Sequence, residues 1–167
     1  MSNVTEGVQA TCKEVGDAVL PVQTPPVLDE ATKEYNGRVV VSENRYKCGN
    51  ADTYTNKLNS CLGLTWQYNG GRCVIHLGFY GGDDLSEPVI LNGQLTSHGE
   101  NVLEEVEGKI STHTPTGVIQ SFGDSQQEWA PFITELEKKF GKILPVQSDR
   151  NEECWSCTVA GGCVILP

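Results

Sequence analysis

The sequence contains no long apolar run and few basic residues. No stretch of its 167 residues approaches the roughly 18 consecutive apolar residues of a membrane-spanning helix, so no membrane span is expected. Residues 1–20 have neither the basic start nor the apolar core of a classical signal peptide. Only 12 Lys and Arg stand against 22 Asp and Glu, and they form no cluster. Nucleic acid is therefore excluded as a partner, because clustered cations hold a phosphate backbone, whereas a basic protein surface would suit the net charge of -10.

The cysteines follow neither a regular disulfide framework nor a complete zinc motif. There are seven of them: Cys12, Cys48, Cys61, Cys73, Cys154, Cys157 and Cys163. A chain of this length can bury a large core without covalent cross-links, and cytosolic thiols stay reduced. The C-x-x-C pair Cys154 and Cys157 has only Cys163 nearby as a third ligand, which is too few for zinc. The sequence thus predicts reduced cysteines, a reducing cytoplasmic location, no metal and no cofactor.

The chain divides near residue 35. Residues 1–35 are polar and include Thr24-Pro25-Pro26, whose prolines remove backbone donors and discourage regular structure. We expect a partly disordered N-terminal extension there, followed by one folded domain over residues 36–167.

Strand and helix signals alternate within that domain. Residues 42–52 are polar and are expected to form a loop. Strands are predicted over 38–42, 58–68, 72–79, 116–122, 142–146 and 158–166, and helices over 97–109 and 130–140. This order, β-β-β-α-β-α-β-β, predicts an α/β fold: a single layered domain in which two main helices pack on a mixed, sandwich-like β-sheet.

The most informative segment is a predicted hairpin that brings a thiol close to an imidazole. Cys61 lies on the first strand, Asn69-Gly70-Gly71 suits a tight turn, and His76 lies on the returning strand. Cys73 is three residues from His76, so a straight strand directs these two side chains to opposite faces. The pattern therefore favours Cys61 as a nucleophile and His76 as its base.

The same segment carries a family resemblance. Thr55-x-x-Leu58-x-Ser60-Cys61, with His76 on the next strand, resembles the motif of the chemotaxis receptor glutamine deamidases, the CheD family. It also resembles the Cys and His arrangement of deamidase toxins of the cytotoxic necrotizing factor type. The resemblance covers about three quarters of the chain and implies a CheD-like fold. It implies Cys61 and His76 as catalytic residues, with Thr55 beside His76 as an orienting group.

Several functions are compatible with this pattern. The first is a cysteine-dependent deamidase that hydrolyses the side-chain amide of glutamine in a target signalling protein, as a toxin or effector delivered into a target cell's cytosol. The second keeps the catalytic pair in a transglutaminase, amidase or peptidase. The third is a noncatalytic acidic module, an inhibitor or immunity-type binder that covers a basic protein.

The remaining candidate residues have simpler interpretations. His98 and His113 lie in polar surroundings and are expected to be solvated. The tryptophans Trp66, Trp129 and Trp155 are expected to fill the core and its rim.

Overall fold

The computed structural model of the protein describes residues 27–55, 58, 60–81, 87–123, 125–146 and 154–166. Most of the predicted N-terminal extension, residues 1–26, lies outside these ranges. So do residues 56–57, 59, 82–86, 124, 147–153 and 167.

Two larger mixed sheets organise the described part of the chain. The first contains, in spatial order, β1 (Asp29–Glu30), β4 (Arg45–Gly49), β7 (Gly71–Leu77), β6 (Leu62–Tyr68), β12 (Ile119–Phe122) and β13 (Ile143–Pro145). The second contains β15 (Gly162–Ile165), β14 (Trp155–Thr158), β5 (Thr53–Thr55), β3 (Arg38–Val40) and β2 (Glu34–Tyr35). Two short ribbons pair β8 (Tyr80–Gly81) with β9 (Glu87–Pro88), and β10 (Ile90–Leu91) with β11 (Gln94–Leu95).

The sheets and helices form layers around two apolar clusters. Alternate residues of β6 and β7 pack under the helices α1 (Ser97–Thr112) and α2 (Ala130–Phe140). The opposite face of β6 and β7 meets the second sheet, where the ring centroids of Phe122 and Trp155 are 5.0 Å apart. The cluster between the sheets, called here the inter-sheet core, contains Ala31, Val39, Val41, Leu58, Cys61, Val74, Phe122, Trp155, Cys157 and Cys163. The prediction of an α/β fold with helices packed on mixed sheets is confirmed.

Both helices begin and end with the signals that the sequence carries. Thr96 caps α1 and its hydroxyl accepts a 2.9 Å hydrogen bond from the Gly99 N–H. α2 has Pro131 in its first turn and ends at Gly141, whose φ of +85° favours glycine. Lys138 and Lys139 lie in its last turn, where cations complement the helix dipole.

Several strands differ from the prediction. The expected loop over residues 42–52 contains β4, whose half-buried side chains give no alternation of apolar and polar residues. One strand was predicted over 158–166, but the structure has a hairpin there: β14 ends at Thr158, a turn covers residues 159–161, and β15 returns antiparallel to β14. The predicted hairpin is present as β6 and β7, although β6 begins at Leu62 rather than at residue 58, and its register pairs Leu62 with Leu77 and Tyr68 with Gly71.

The first described strands belong to the sheets. β1 pairs in parallel with β4, and β2 pairs with β3, although both precede the predicted start of the folded domain. The Glu105 carboxylate on α1 accepts hydrogen bonds from the backbone N–H groups of Val27 and Leu28, at 2.6 and 2.8 Å. Helix α1 and the entry into β1 are thus joined by one carboxylate.

Neither α1 nor α2, the helices of eight or more residues in the described ranges, is long and apolar enough to cross a membrane.

Candidate functional site

Cys61 directly precedes β6 and points into the inter-sheet core. It is 5% exposed, and among the described cysteines it is the one that is not in a disulfide. The same cluster contains Val74 and Phe122 of the first sheet and Trp155 of the second. Cys61 is the residue that the sequence predicts as the nucleophile, and this role stays a prediction.

His76 lies on the same face of the sheet as Cys61. It is the sixth residue of β7, is 2% exposed and pairs across the ladder with Gly63. Because side chains alternate along a strand, Cys61 and Gly63 share a face, which makes Cys61 the diagonal cross-strand neighbour of His76. Gly63 has no side chain, and the Phe122 ring occupies the space that a Cβ at position 63 would need.

A main-chain carbonyl fixes the His76 ring. The ring Nδ1 lies 3.0 Å from the carbonyl oxygen of Val41, a fully buried residue that directly follows β3. A carbonyl can only accept, so Nδ1 carries the proton in this contact. The buried Nε2 is then the ring atom with a lone pair that can take a proton from a thiol. Sequence reasoning missed Val41 because a backbone oxygen has no side-chain signal.

Thr55 lies on the second sheet, beside the residue that holds His76. β3 and β5 run parallel, with Val39 opposite Thr53 and Val40 opposite Tyr54, so the same register places Val41 next to Thr55. Thr55 is fully buried, and its hydroxyl has no hydrogen-bond partner among the described residues. The structure thus brings Thr55 to the site, and its role in orienting His76 stays a prediction.

Trp129 and Gly123 lie close to the backbone at Ser60 and Cys61. The indole N–H of Trp129 donates to the Ser60 carbonyl at 3.3 Å. Gly123 lies so close that a Cβ there would be 3.0 Å from the Cys61 carbonyl oxygen, and its φ is +117°. Trp129 fills the core as predicted, but its hydrogen bond to Ser60 gives it an added role that spacing along the chain does not reveal.

A groove of about 530 Å³ opens near this end of the first sheet. Gly123 and Gln126 contribute to its wall, and the Gln126 side-chain amide donates to the carbonyl oxygens of Gly123 and Val146. Since Phe122 pairs with Gly63, the end of β12 lies alongside the start of β6, where Cys61 is. The groove is therefore next to the backbone of Cys61, which is not itself part of its wall.

The other described cysteines form disulfides. Cys48 and Cys73 face each other on β4 and β7, and Cys157 and Cys163 do so on β14 and β15. Cys154 is disulfide-bonded as well. The expectation of reduced cysteines is therefore wrong for these five residues, because the strands that pair them were not all recognised. Cys73 does lie on the face opposite to His76, as the strand alternation predicts.

His98 is buried rather than solvated. It lies in the first turn of α1 and is 7% exposed. Burial lowers the pKa of its imidazole, and the negative charges of Glu87 and Glu105 oppose that shift.

Stability is consequently expected to depend on His98 at mildly acidic pH. The folded-state pKa lies below the unfolded value of about 6.5, so the unfolded chain takes up a proton first as the pH falls. The contribution of neutral His98 is present above about pH 6.5 and is lost as the pH falls toward the lower folded-state pKa. Urea unfolding across this pH range should show a smaller loss of unfolding free energy in His98→Gln than in the unchanged protein. If the unfolding free energy fell equally with pH in both proteins, His98 would not be the source of the pH dependence.

Comparisons with models of protein families, with curated proteins and with solved structures found no match.

Proposed function

We propose that this protein is a cysteine-dependent deamidase that hydrolyses the side-chain amide of glutamine in a target protein. The supporting observation is the combination of the Cys61 thiol, which is not in a disulfide, with the buried imidazole of His76 on the same face of the sheet. Burying a histidine in an apolar core costs free energy unless its ring nitrogens form hydrogen bonds. The Val41 carbonyl oxygen accepts such a bond from Nδ1 of His76. The CheD-like sequence pattern supports the same assignment.

The reaction begins with proton transfer from the Cys61 thiol to His76 Nε2. The thiolate sulfur attacks the amide carbon, and the electron pair of the C=O bond moves to oxygen. Backbone N–H groups at Cys61 and in an adjacent loop would stabilise the oxyanion. When the C–N bond breaks, the His76 proton passes to the leaving group, so that ammonia departs and a thioester remains.

Water completes the cycle. His76 removes a proton from the water, whose oxygen attacks the thioester carbon, and the C–S bond breaks. The sulfur regains a proton from His76, and the target keeps a glutamate carboxylate. Val41 contributes by holding the ring with Nδ1 protonated, which leaves Nε2 to carry each proton. Thr55 would steady the same part of the site from β5.

The proposed substrate is a protein, and two features of the chain indicate the surface charge of that protein and the compartment in which the reaction takes place. The net charge of -10 favours a target with a basic surface around the reactive glutamine. The disulfides suit an oxidising compartment, which supports the function of a secreted toxin or effector that acts after delivery into the cytosol of a target cell.

The proposal is tested with purified protein and a mixture of core histones, which are basic and contain glutamine. Ammonia release should accompany a mass gain of about 1 Da per modified glutamine, as hydrolysis of an amide requires. Iodoacetamide near neutral pH should label Cys61 in the same preparation. If other basic proteins also remain unchanged and Cys61 resists alkylation, the proposal fails.

A second candidate function is favoured by the burial of the thiol. Cys61 is only 5% exposed and is surrounded by apolar side chains, as expected for a cysteine that only packs. The protein would then be an acidic inhibitor or immunity-type binder of a basic partner. An inert Cys61 together with tight, salt-sensitive binding to a basic protein would identify this function.

A further inference from the structure

A second cluster of reactive side chains lies on the helix side of the first sheet, away from Cys61. It consists of Cys48 on β4, Cys73 on β7 and His113, which directly follows α1. The two sulfur atoms and one ring nitrogen of His113 all lie within 4.8 Å of one another. Cys73 is fully buried, whereas Cys48 and His113 are half-buried, so the cluster reaches the surface on one side.

His113 is held firmly in this position. Its carbonyl oxygen accepts a 2.6 Å hydrogen bond from the indole N–H of Trp66. Its ring packs edge-on against Tyr68, with 4.8 Å between the centroids, and Nδ1 lies 3.4 Å from the Lys109 carbonyl oxygen. A histidine that ligates a metal commonly donates its other N–H to such a carbonyl, which orients the ring. The surroundings of His113 therefore match those of a metal ligand.

We propose that Cys48, Cys73 and His113 form a redox-controlled zinc site, which binds Zn²⁺ when the Cys48–Cys73 disulfide is reduced. Two thiolates and one imidazole are a ligand set that Zn²⁺ prefers, and a water molecule completes the tetrahedron on the exposed side. The paired strands already place the two cysteines opposite each other. Only the breaking of the S–S bond and a small separation of the sulfurs are required.

The chemistry balances with a thiol reductant, such as glutathione. Two molecules of the reductant are oxidised to one disulfide, and the Cys48–Cys73 bond takes up two electrons and two protons. Zinc binding then displaces both thiol protons to the solvent, and the two negative sulfurs neutralise the ion.

The surface offers a path for the ion. A pocket of about 520 Å³ includes His113 in its wall, together with the carboxylates of Asp29, Glu30 and Glu105 and the cation of Lys109. Asp29 and Glu30 each form an ion pair with a residue of β4. The strongly negative charge of the whole chain nevertheless raises the local concentration of cations at its surface.

The test uses the full-length protein and Co²⁺ as a spectroscopic substitute for Zn²⁺. After reduction under anaerobic conditions, we expect uptake of one equivalent of Co²⁺ with a thiolate-to-cobalt charge-transfer band, and displacement by Zn²⁺. The oxidised protein should show no such band. His113→Gln should weaken binding by at least about tenfold, since even partners of ligands have effects of that size.

A matched variant separates this site from the other thiols. The double substitution Cys157→Ser and Cys163→Ser removes the other described cross-strand pair and should leave the charge-transfer band unchanged, whereas Cys48→Ser should remove it. In the reduced unchanged protein, Zn²⁺ should also slow the alkylation of Cys48, the more exposed of the two cysteines, more than that of Cys61. Unchanged binding in His113→Gln, or alkylation of Cys48 at the same rate with and without Zn²⁺, would overturn the proposal. These measurements of metal binding and alkylation do not depend on whether the protein hydrolyses amides.

Discussion

Replacing Cys61 by serine, or His76 by glutamine, is expected to reduce amide hydrolysis by about 10³-fold or more. Nucleophile and base act as a unit, so the loss of either removes most of the rate enhancement. Serine has nearly the shape of cysteine but is a far weaker nucleophile without strong activation. Glutamine at position 76 can still donate a side-chain N–H to the Val41 carbonyl while it lacks a basic nitrogen. Ammonia release from the protein substrate measures both effects.

The two variants must remain folded for this result to be meaningful. Cys61→Ala serves as the control for packing, because it removes the sulfur without adding a hydroxyl. Each variant is compared with the unchanged protein by urea unfolding, and a cost within about 1–3 kcal/mol is expected for a polar substitution or a small cavity in a core. Retained hydrolysis in either variant would exclude the proposed roles. A greater loss of stability together with full activity per folded molecule would assign Cys61 to packing alone.

Replacing Trp129 by alanine is expected to lower the free energy of unfolding by about 3–5 kcal/mol. The indole is fully buried and meets the rings of Phe79 and Phe132 edge-on, with centroids 5.6 and 5.3 Å away. It also donates to the Ser60 carbonyl, which would lose this donor in the variant. Urea unfolding measures the change in unfolding free energy.

Trp129→Phe distinguishes the ring from the hydrogen bond. Phenylalanine keeps an aromatic ring in contact with its neighbours but cannot donate to Ser60. We expect it to cost less stability than alanine and still to lower hydrolysis, since the backbone that carries Cys61 is less firmly held. Val118→Ala, at a side chain 45% exposed, should change stability by no more than about 0.5 kcal/mol. Equal stability of Trp129→Ala and Val118→Ala would show that the indole contacts are not stabilising.

Local signals account for the parts of the fold that the sequence predicted. The Asn69-Gly70-Gly71 turn and its flanking apolar strands define the β6–β7 hairpin without reference to the rest of the chain. Likewise, Pro131, the apolar stripe and Gly141 define α2. The strands β4 and β5 were missed because one is polar and half-buried and the other has only three residues. Both are fixed by long-range pairing rather than by their own sequence.

Some residues of the candidate site could likewise be located from local sequence signals, and others could not. Cys61 and His76 could be placed on one face because they flank a single hairpin with a recognisable turn. Val41 could not be recognised, since its contribution is a carbonyl group brought in by the other sheet. The disulfide between Cys48 and Cys73 was likewise hidden, because it depends on the pairing of β4 with β7.

The carboxylate of Glu105 has a mechanical consequence. It accepts hydrogen bonds from the backbone N–H groups of Val27 and Leu28, immediately before β1, and it belongs to α1, a helix of 16 residues. β1 contributes only two residues to the edge of its sheet, so it resists little force alone. Force applied to the chain at Val27 is therefore transmitted through Glu105 to α1. If the protein were unfolded by pulling from this side of β1, α1 would have to separate from the backbone at Val27 and Leu28 early.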